Sequence, residues 1–137
     1  MLRKNAKLEL LRAVPLFADL SKRELESVAA LADELDLPAG RELTKEGTRG
    51  GEFIVIVEGA ADVRRRGRQV NTLSSGDFLG EIALVTGAPR TATVKTTAPS
   101  RLLVLTSAQF RRLLRDTPSL QLKVLDAIAR RLPPEAA

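Results

Sequence analysis

The sequence predicts a mainly β fold, an antiparallel and jelly-roll-like β-roll with helices at both ends, on three observations. From Glu34 onward apolar residues recur with a period near two, in LDLPAG, RELTKEG, FIVIVEG, ADVRRRG and QVNTLSSGD. Glycines at 40, 47, 59, 67 and 76 divide these runs, as expected for short antiparallel strands joined by turns. Before and after this region the apolar spacing becomes helical.

The elements follow in order. Leu2, Leu8, Leu10, Leu11 and Val14 fall on one side of a helical wheel, and Pro15 ends the pattern. Ser21 with Glu24 three residues later is a capping box, and Leu25, Val28, Ala29 and Leu31 continue a second helix to about residue 32. The strand-type runs then occupy 34–106, with TATVKTT and SRLLVLT as the last two. Thr106 or Ser107 caps a helix carrying Phe110, Leu113 and Leu114, and Pro118 opens another carrying Leu122, Leu125, Ile128 and Leu132. The expectation is one domain over 1–137: N-terminal helices over about 1–32, the roll over 34–106 and two C-terminal helices over 107–132. The chain holds no internal repeat and no low-complexity linker.

Composition narrows the function. With 137 residues and 44% hydrophobic content, the chain can build one core. It has no Cys and no His, which removes thiolate nucleophiles, disulfides, catalytic imidazoles and the usual ligands of zinc. No metal site, no cofactor and no enzyme are expected. The N-terminus MLRKNAKLELLRAV lacks the apolar run of an export signal, and the longest strongly apolar stretch, Phe53 to Val57, is far short of the roughly 20 residues of a membrane span. A cytoplasmic protein with no membrane segment is expected. The net charge of +5, from 16 Arg and 6 Lys against 17 acids, favours attraction to anions without naming one. Arg64, Arg65, Arg66 and Arg68 flank Gly67 and read as a solvated hairpin tip, with a nucleic acid or acidic protein as the alternative contact. Single-strand stacking platforms are scarce, since the chain has no Tyr or Trp and only 4 Phe.

Residues 76–94, GDFLGEIALVTGAPRTATV, carry the chemistry. Gly80 lets backbone approach a ligand, and a short helix opening at Glu81 and running to about Leu84 aims unpaired N–H groups at an anion. Arg90 supplies a planar, permanently charged fork for phosphate oxygens. An ionised Glu81 only accepts hydrogen bonds, so it suits a hydroxyl donor such as a ribose 2′-OH. One ligand with a phosphate and a sugar hydroxyl satisfies both residues; a surface ion pair between them is the competing reading. Thr91 sits beside Arg90 and reads either as a base contact or as an ordinary strand threonine.

This stretch, together with VPLF at 14–17, PAG at 38–40, EG at 46–47, EFIVIVEGAADV at 52–63 and LSSGD at 73–77, resembles the cyclic nucleotide-binding domain family, the module of cyclic-nucleotide-dependent kinases and the cyclic AMP receptor protein. The matches run in order over nearly the whole chain. The resemblance implies that residues 76–94 are a phosphate-binding cassette, with Arg90, Gly80, Ile82, Ala83, Leu84 and Thr91 around the cyclic phosphate and Glu81 on the ribose. It implies a final helix that acts as a lid over the base, with Leu122, Leu125 and Ile128 as covers beside Thr91. The implied ligand is cAMP or cGMP, with cAMP favoured, and the implied role is a sensor whose C-terminal helix moves on binding.

Three departures stand out. Leu79 replaces an aromatic common in the family, the lid has no aromatic after Phe110, and only PPEAA follows Leu132, so no DNA-binding or kinase segment is expected. Output then passes to a protein partner or a homodimer through the last helix. The alternative function is a β-roll that contacts proteins and no longer binds nucleotide.

Overall fold

The computed structural model describes residues 4–80 and 87–131; Leu2, Leu132 and the short helix expected at about 81–84 lie outside the described residues. Helix α1 (Lys4–Arg12) leads through a 3-10 turn (Pro15–Phe17) into α2 (Lys22–Leu31). Ser21 caps α2 with a reciprocal capping box, its hydroxyl accepting from the Glu24 N–H while the Glu24 carboxylate accepts from the Ser21 N–H. Eight strands follow: β1 (Asp33–Leu37), β2 (Glu42–Thr44), β3 (Glu52–Glu58), β4 (Ala60–Arg65), β5 (Arg68–Ser74), β6 (Phe78–Leu79), β7 (Thr93–Thr96) and β8 (Ser100–Thr106). Helices α3 (Ser107–Asp116) and α4 (Pro118–Arg131) close the described chain. Thr106, rather than Ser107, is the cap of α3, in a second capping box with Gln109.

The strands form two antiparallel four-stranded sheets, ordered β1-β8-β3-β6 and β2-β7-β4-β5. The two-residue β6 is too short for a periodicity to announce it, yet its pairing of Leu79 with Ile54 places Gly80 beside β3.

β3 explains why FIVIV is almost continuously apolar. Phe53, Val55 and Val57 face the helices and join Leu11, Phe17, Leu25, Phe110 and Leu120 in one core, while Ile54 and Ile56 face the other way and pack with Ala61, Leu73, Leu79, Val94 and Leu102 inside the roll. A strand covered on both faces loses the alternation of a half-exposed one. Phe53 stacks on Phe110 with ring centroids 4.3 Å apart, which locks α3 to the sheet.

α4 corrects the expected register. Its buried face is Leu120, Val124 and Ile128, at intervals of four, packed on the helical core. Leu122 and Leu125 fall on the other side and are 71% and 58% exposed. The segment LQLKVLDAI carries apolar residues on both faces of the helix, so spacing alone did not select one. Lys123 ties α4 to the 3-10 turn region, with Nζ 2.5 Å from the Asp19 carboxylate and 3.2 Å from the Pro15 carbonyl.

Candidate ligand site

Arg90 is a buried polar residue of the roll with a firmly held backbone. It precedes β7, and its backbone is held on both sides: its N–H donates to the Thr48 carbonyl at 2.8 Å, and its carbonyl accepts from the Gly47 N–H at 2.9 Å. The residues after it are pinned to β2, since the Thr44 hydroxyl donates to the Ala92 carbonyl at 3.0 Å and the Thr93 hydroxyl accepts from the Glu46 N–H at 3.0 Å. The residue is 6% exposed, and its Nη2 donates to the Glu52 carbonyl at 2.7 Å. Burying a guanidinium is costly unless acceptors surround it, and the Glu52 carbonyl is one of those acceptors.

Two glycines make room for that guanidinium. A Cβ on Gly50 would overlap the Arg90 side chain, and a Cβ on Gly80 would come within 2.5 Å of both Arg90 Nη1 and the Glu52 carbonyl oxygen. Gly80 also sits at φ +100°, where other residues are strained. The close approach foreseen for Gly80 is therefore made to the arginine and to β3. Gly50 was missed by the sequence reading; its only signal was the GG pair at 50–51 following the EG of residues 46–47.

Arg90 and Gly80 line a cleft of about 300 Å³ between the sheets. That is the lower end of the size range of small-molecule sites. One wall is apolar, from Val63, Leu73, Leu79 and Val94. Thr91 and Ala92 continue the wall from Arg90, Thr91 being exposed. The remaining polar contributors among the described residues are Thr44, Arg65, Asn71 and, from the end of α4, Arg130. The structure thus brings Gly80, Arg90 and Thr91 to one cavity. It does not bring Leu122, Leu125 or Ile128 there: the first two face away from the helical core and the third packs on it. Glu81, Ile82, Ala83 and Leu84 lie outside the described residues.

The arginine-rich hairpin is the exposed tip that its sequence suggests, and it is also tied down. Arg66 and Gly67 form its two-residue turn with φ of +51° and +77°, both positive as a tight I′-type hairpin turn requires. The Arg66 N–H donates to the Glu46 carboxylate at 2.9 Å, and the Arg65 Nε donates to the Thr91 carbonyl at 3.1 Å. The tip is thereby fastened to both loops that hold Arg90. Among the described residues no cluster of three or more metal-ligating side chains is found, and no helix is long and apolar enough to cross a membrane.

With this geometry in view, comparison with known proteins is direct. The family model described as "Cyclic nucleotide-binding domain" matches residues 34–117, more than half of the chain, and the chain belongs to that family. It is 41% identical over 110 residues to a cAMP-dependent protein kinase regulatory subunit of Mycosarcoma maydis, a match covering 74% of this chain and 21% of that one. It is 37% identical over 113 residues to a cyclic nucleotide-gated potassium channel of Rhizobium etli, covering 82% and 31%. Among solved structures, the cAMP-bound PfPKA-R superposes with a TM-score of 0.77 at 26% identity, covering 92% of this chain and 47% of that one. The chain therefore spans less than a third of the length of these two sequence relatives, and its fold is the β-roll with flanking helices that the cAMP-bound structure shares.

Proposed function

We propose that this chain is a single, non-catalytic sensor domain that binds one 3′,5′-cyclic nucleotide in the cleft headed by Arg90. The observation that carries the reading is the burial of that guanidinium between Gly50 and Gly80, at the end of a cavity with an apolar wall. A cyclic phosphate neutralises Arg90, the amides near Gly80, Ile82, Ala83 and Leu84 complete its cradle, and Glu81 accepts from the ribose 2′-OH. The base lies along Val63, Leu73 and Val94, beside Thr91. The printed names of the relatives, several of them cAMP-dependent regulatory subunits, support cAMP as the favoured ligand over cGMP.

Output passes through α4. Arg130 lies at the cleft while Lys123 holds the same helix to the turn before α2, so a ligand that favours one position of the helix shifts its population. For Leu122, Leu125 and Ile128 to cover the base, α4 must rotate from the position described here. The target is a protein partner or a second copy, and the setting is cytoplasmic.

Calorimetric titration with cAMP and with cGMP, using Arg90→Ala as the control, tests the proposal. Binding that disappears in the variant supports it. No heat with either nucleotide sinks it and leaves the second reading, a protein-interaction module, for which the exposed Leu122 and Leu125 are the contact candidates.

A further inference from the structure

The tip of the β4–β5 hairpin has no part in holding a small ligand, yet it concentrates charge. Arg64, Arg65, Arg66 and Arg68 are all exposed, as are Lys45 and Arg49 of the loop it touches. The acids beside them are committed: Asp62 pairs with Arg64 at 3.6 Å, and Glu46 accepts from the Arg66 N–H. Arg68 stands directly opposite Arg65 in the strand register, a like-charged pair that costs stability unless an anion lies alongside. Arg66 holds the first turn position at φ +51°, the one non-glycine residue with a positive φ among the described residues. Asn, Asp or Gly suits that position, so an arginine there is a second local cost. Among the described residues the Arg66 and Arg68 guanidiniums have no hydrogen-bond or ion-pair partner, so nothing there offsets either cost. The tip is rigid all the same, anchored by Glu46 on one side and by the Arg65 bond to the Thr91 carbonyl on the other. A partner meeting it would spend little on ordering the loop.

The neighbouring backbone narrows what can dock. β5 is the edge of its sheet, but its pairing with β4 shifts register between Val63 and Arg64. The Thr72 N–H is taken by Asn71 Oδ1 and the Ser74 N–H by Asp77 Oδ2, each at 2.8 Å. An edge blunted in this way does not accept another strand, so recognition falls to the side chains. Nucleic acid is a poor match. The chain has no Tyr or Trp, Phe17, Phe53 and Phe110 are fully buried, and Phe78 packs on Phe53, which leaves no stacking platform. One turn also spans few phosphates. We propose that this tip is a docking surface for an acidic segment of a partner protein, whose carboxylates lie in the forks of Arg65, Arg66 and Arg68.

The test is fluorescence anisotropy of the full chain with a short labelled oligoglutamate, beside an oligothymidylate of equal length and cosedimentation with phosphatidylserine vesicles. The peptide is expected to bind more tightly than the oligonucleotide or the vesicles. Arg66→Gly combined with Arg68→Ser is expected to weaken peptide binding about tenfold, as for the loss of two exposed charge contacts. Its thermal melt stays level or rises, because glycine relieves the turn. Arg112→Ser combined with Arg115→Ser, which removes the same charge from α3, is expected to change the affinity by less than about twofold. A wild-type protein that ignores the peptide overturns the proposal, as does unchanged binding in the hairpin variant. Equal weakening by both pairs of substitutions reduces the effect to net charge and overturns it too. Tighter binding of the oligonucleotide or the vesicles through the same arginines replaces the acidic protein with another kind of partner. A lower melting temperature in the hairpin variant makes these arginines structural and likewise defeats the proposal.

Discussion

At the inner end of the cleft Arg90 is 6% exposed and wedged between two glycines, whereas from α4 the side chain of Arg130 is 78% exposed and pairs with Asp126 one turn away. Both are arginines lining one cavity, and their surroundings separate what they can do. Arg90 has given up most of its hydration and is held by fixed backbone and the Glu52 carbonyl, so on the proposed reading a phosphate meets a preset guanidinium. Arg130 keeps its water, and its ion pair is worth little. The difference teaches that an arginine's contribution here is set by how rigidly the chain encloses it.

Arg90→Ala is the largest test of that contrast. It is expected to weaken nucleotide binding by about 2 to 5 kcal/mol, the cost of deleting one partner of a desolvated charge pair. A loss in calorimetry no larger than that of an exposed pair would erase the distinction between the two ends.

Next comes Gly50→Ala, which puts a methyl group where the guanidinium lies. Denaturant melts should show a loss of about 1 to 3 kcal/mol, typical of overpacking, and calorimetry a parallel loss of affinity. If both stay at wild-type values, the cradle is not rigid and the contrast is weaker than the geometry implies. Lys123→Met removes a partly exposed ion pair far from the phosphate end and should cost at most about 1 kcal/mol of stability. A larger loss would mark the anchoring of α4 as a major term. The smallest change is expected for Arg130→Ala, about 0.5 kcal/mol or less in stability. A tenfold loss of nucleotide affinity in that variant would instead make the exposed end of the cleft an equal partner in binding.

Much of the fold was legible because it rests on local rules. The capping boxes at Ser21 and Thr106, the glycine-bounded strands and Pro118 at the head of α4 each follow from chemistry within a few residues. Arg90 and Gly80 were legible as members of one site because they lie in one short segment. Gly50 and Arg65 were not, since their roles depend on strands distant in sequence meeting in space. Gly50 is forty positions from the side chain it accommodates, and Arg65 reaches Thr91 across 26 positions. The same limit explains α4, where apolar residues on both faces made the buried register a question of what the helix packs against.

The attachment of Lys123 to Asp19 gives α4 a mechanical character. Seven residues separate that tether from Arg130, about 10 Å of helix at 1.5 Å per residue. A tether near its middle, the packing of Ile128 on the helical core and a contact with the cleft at Arg130 make the helix one continuous connection between the cleft mouth and the turn that precedes α2. On the proposed reading, a ligand that touches Arg130 is joined through this one helix to the N-terminal helices, with no loop between them.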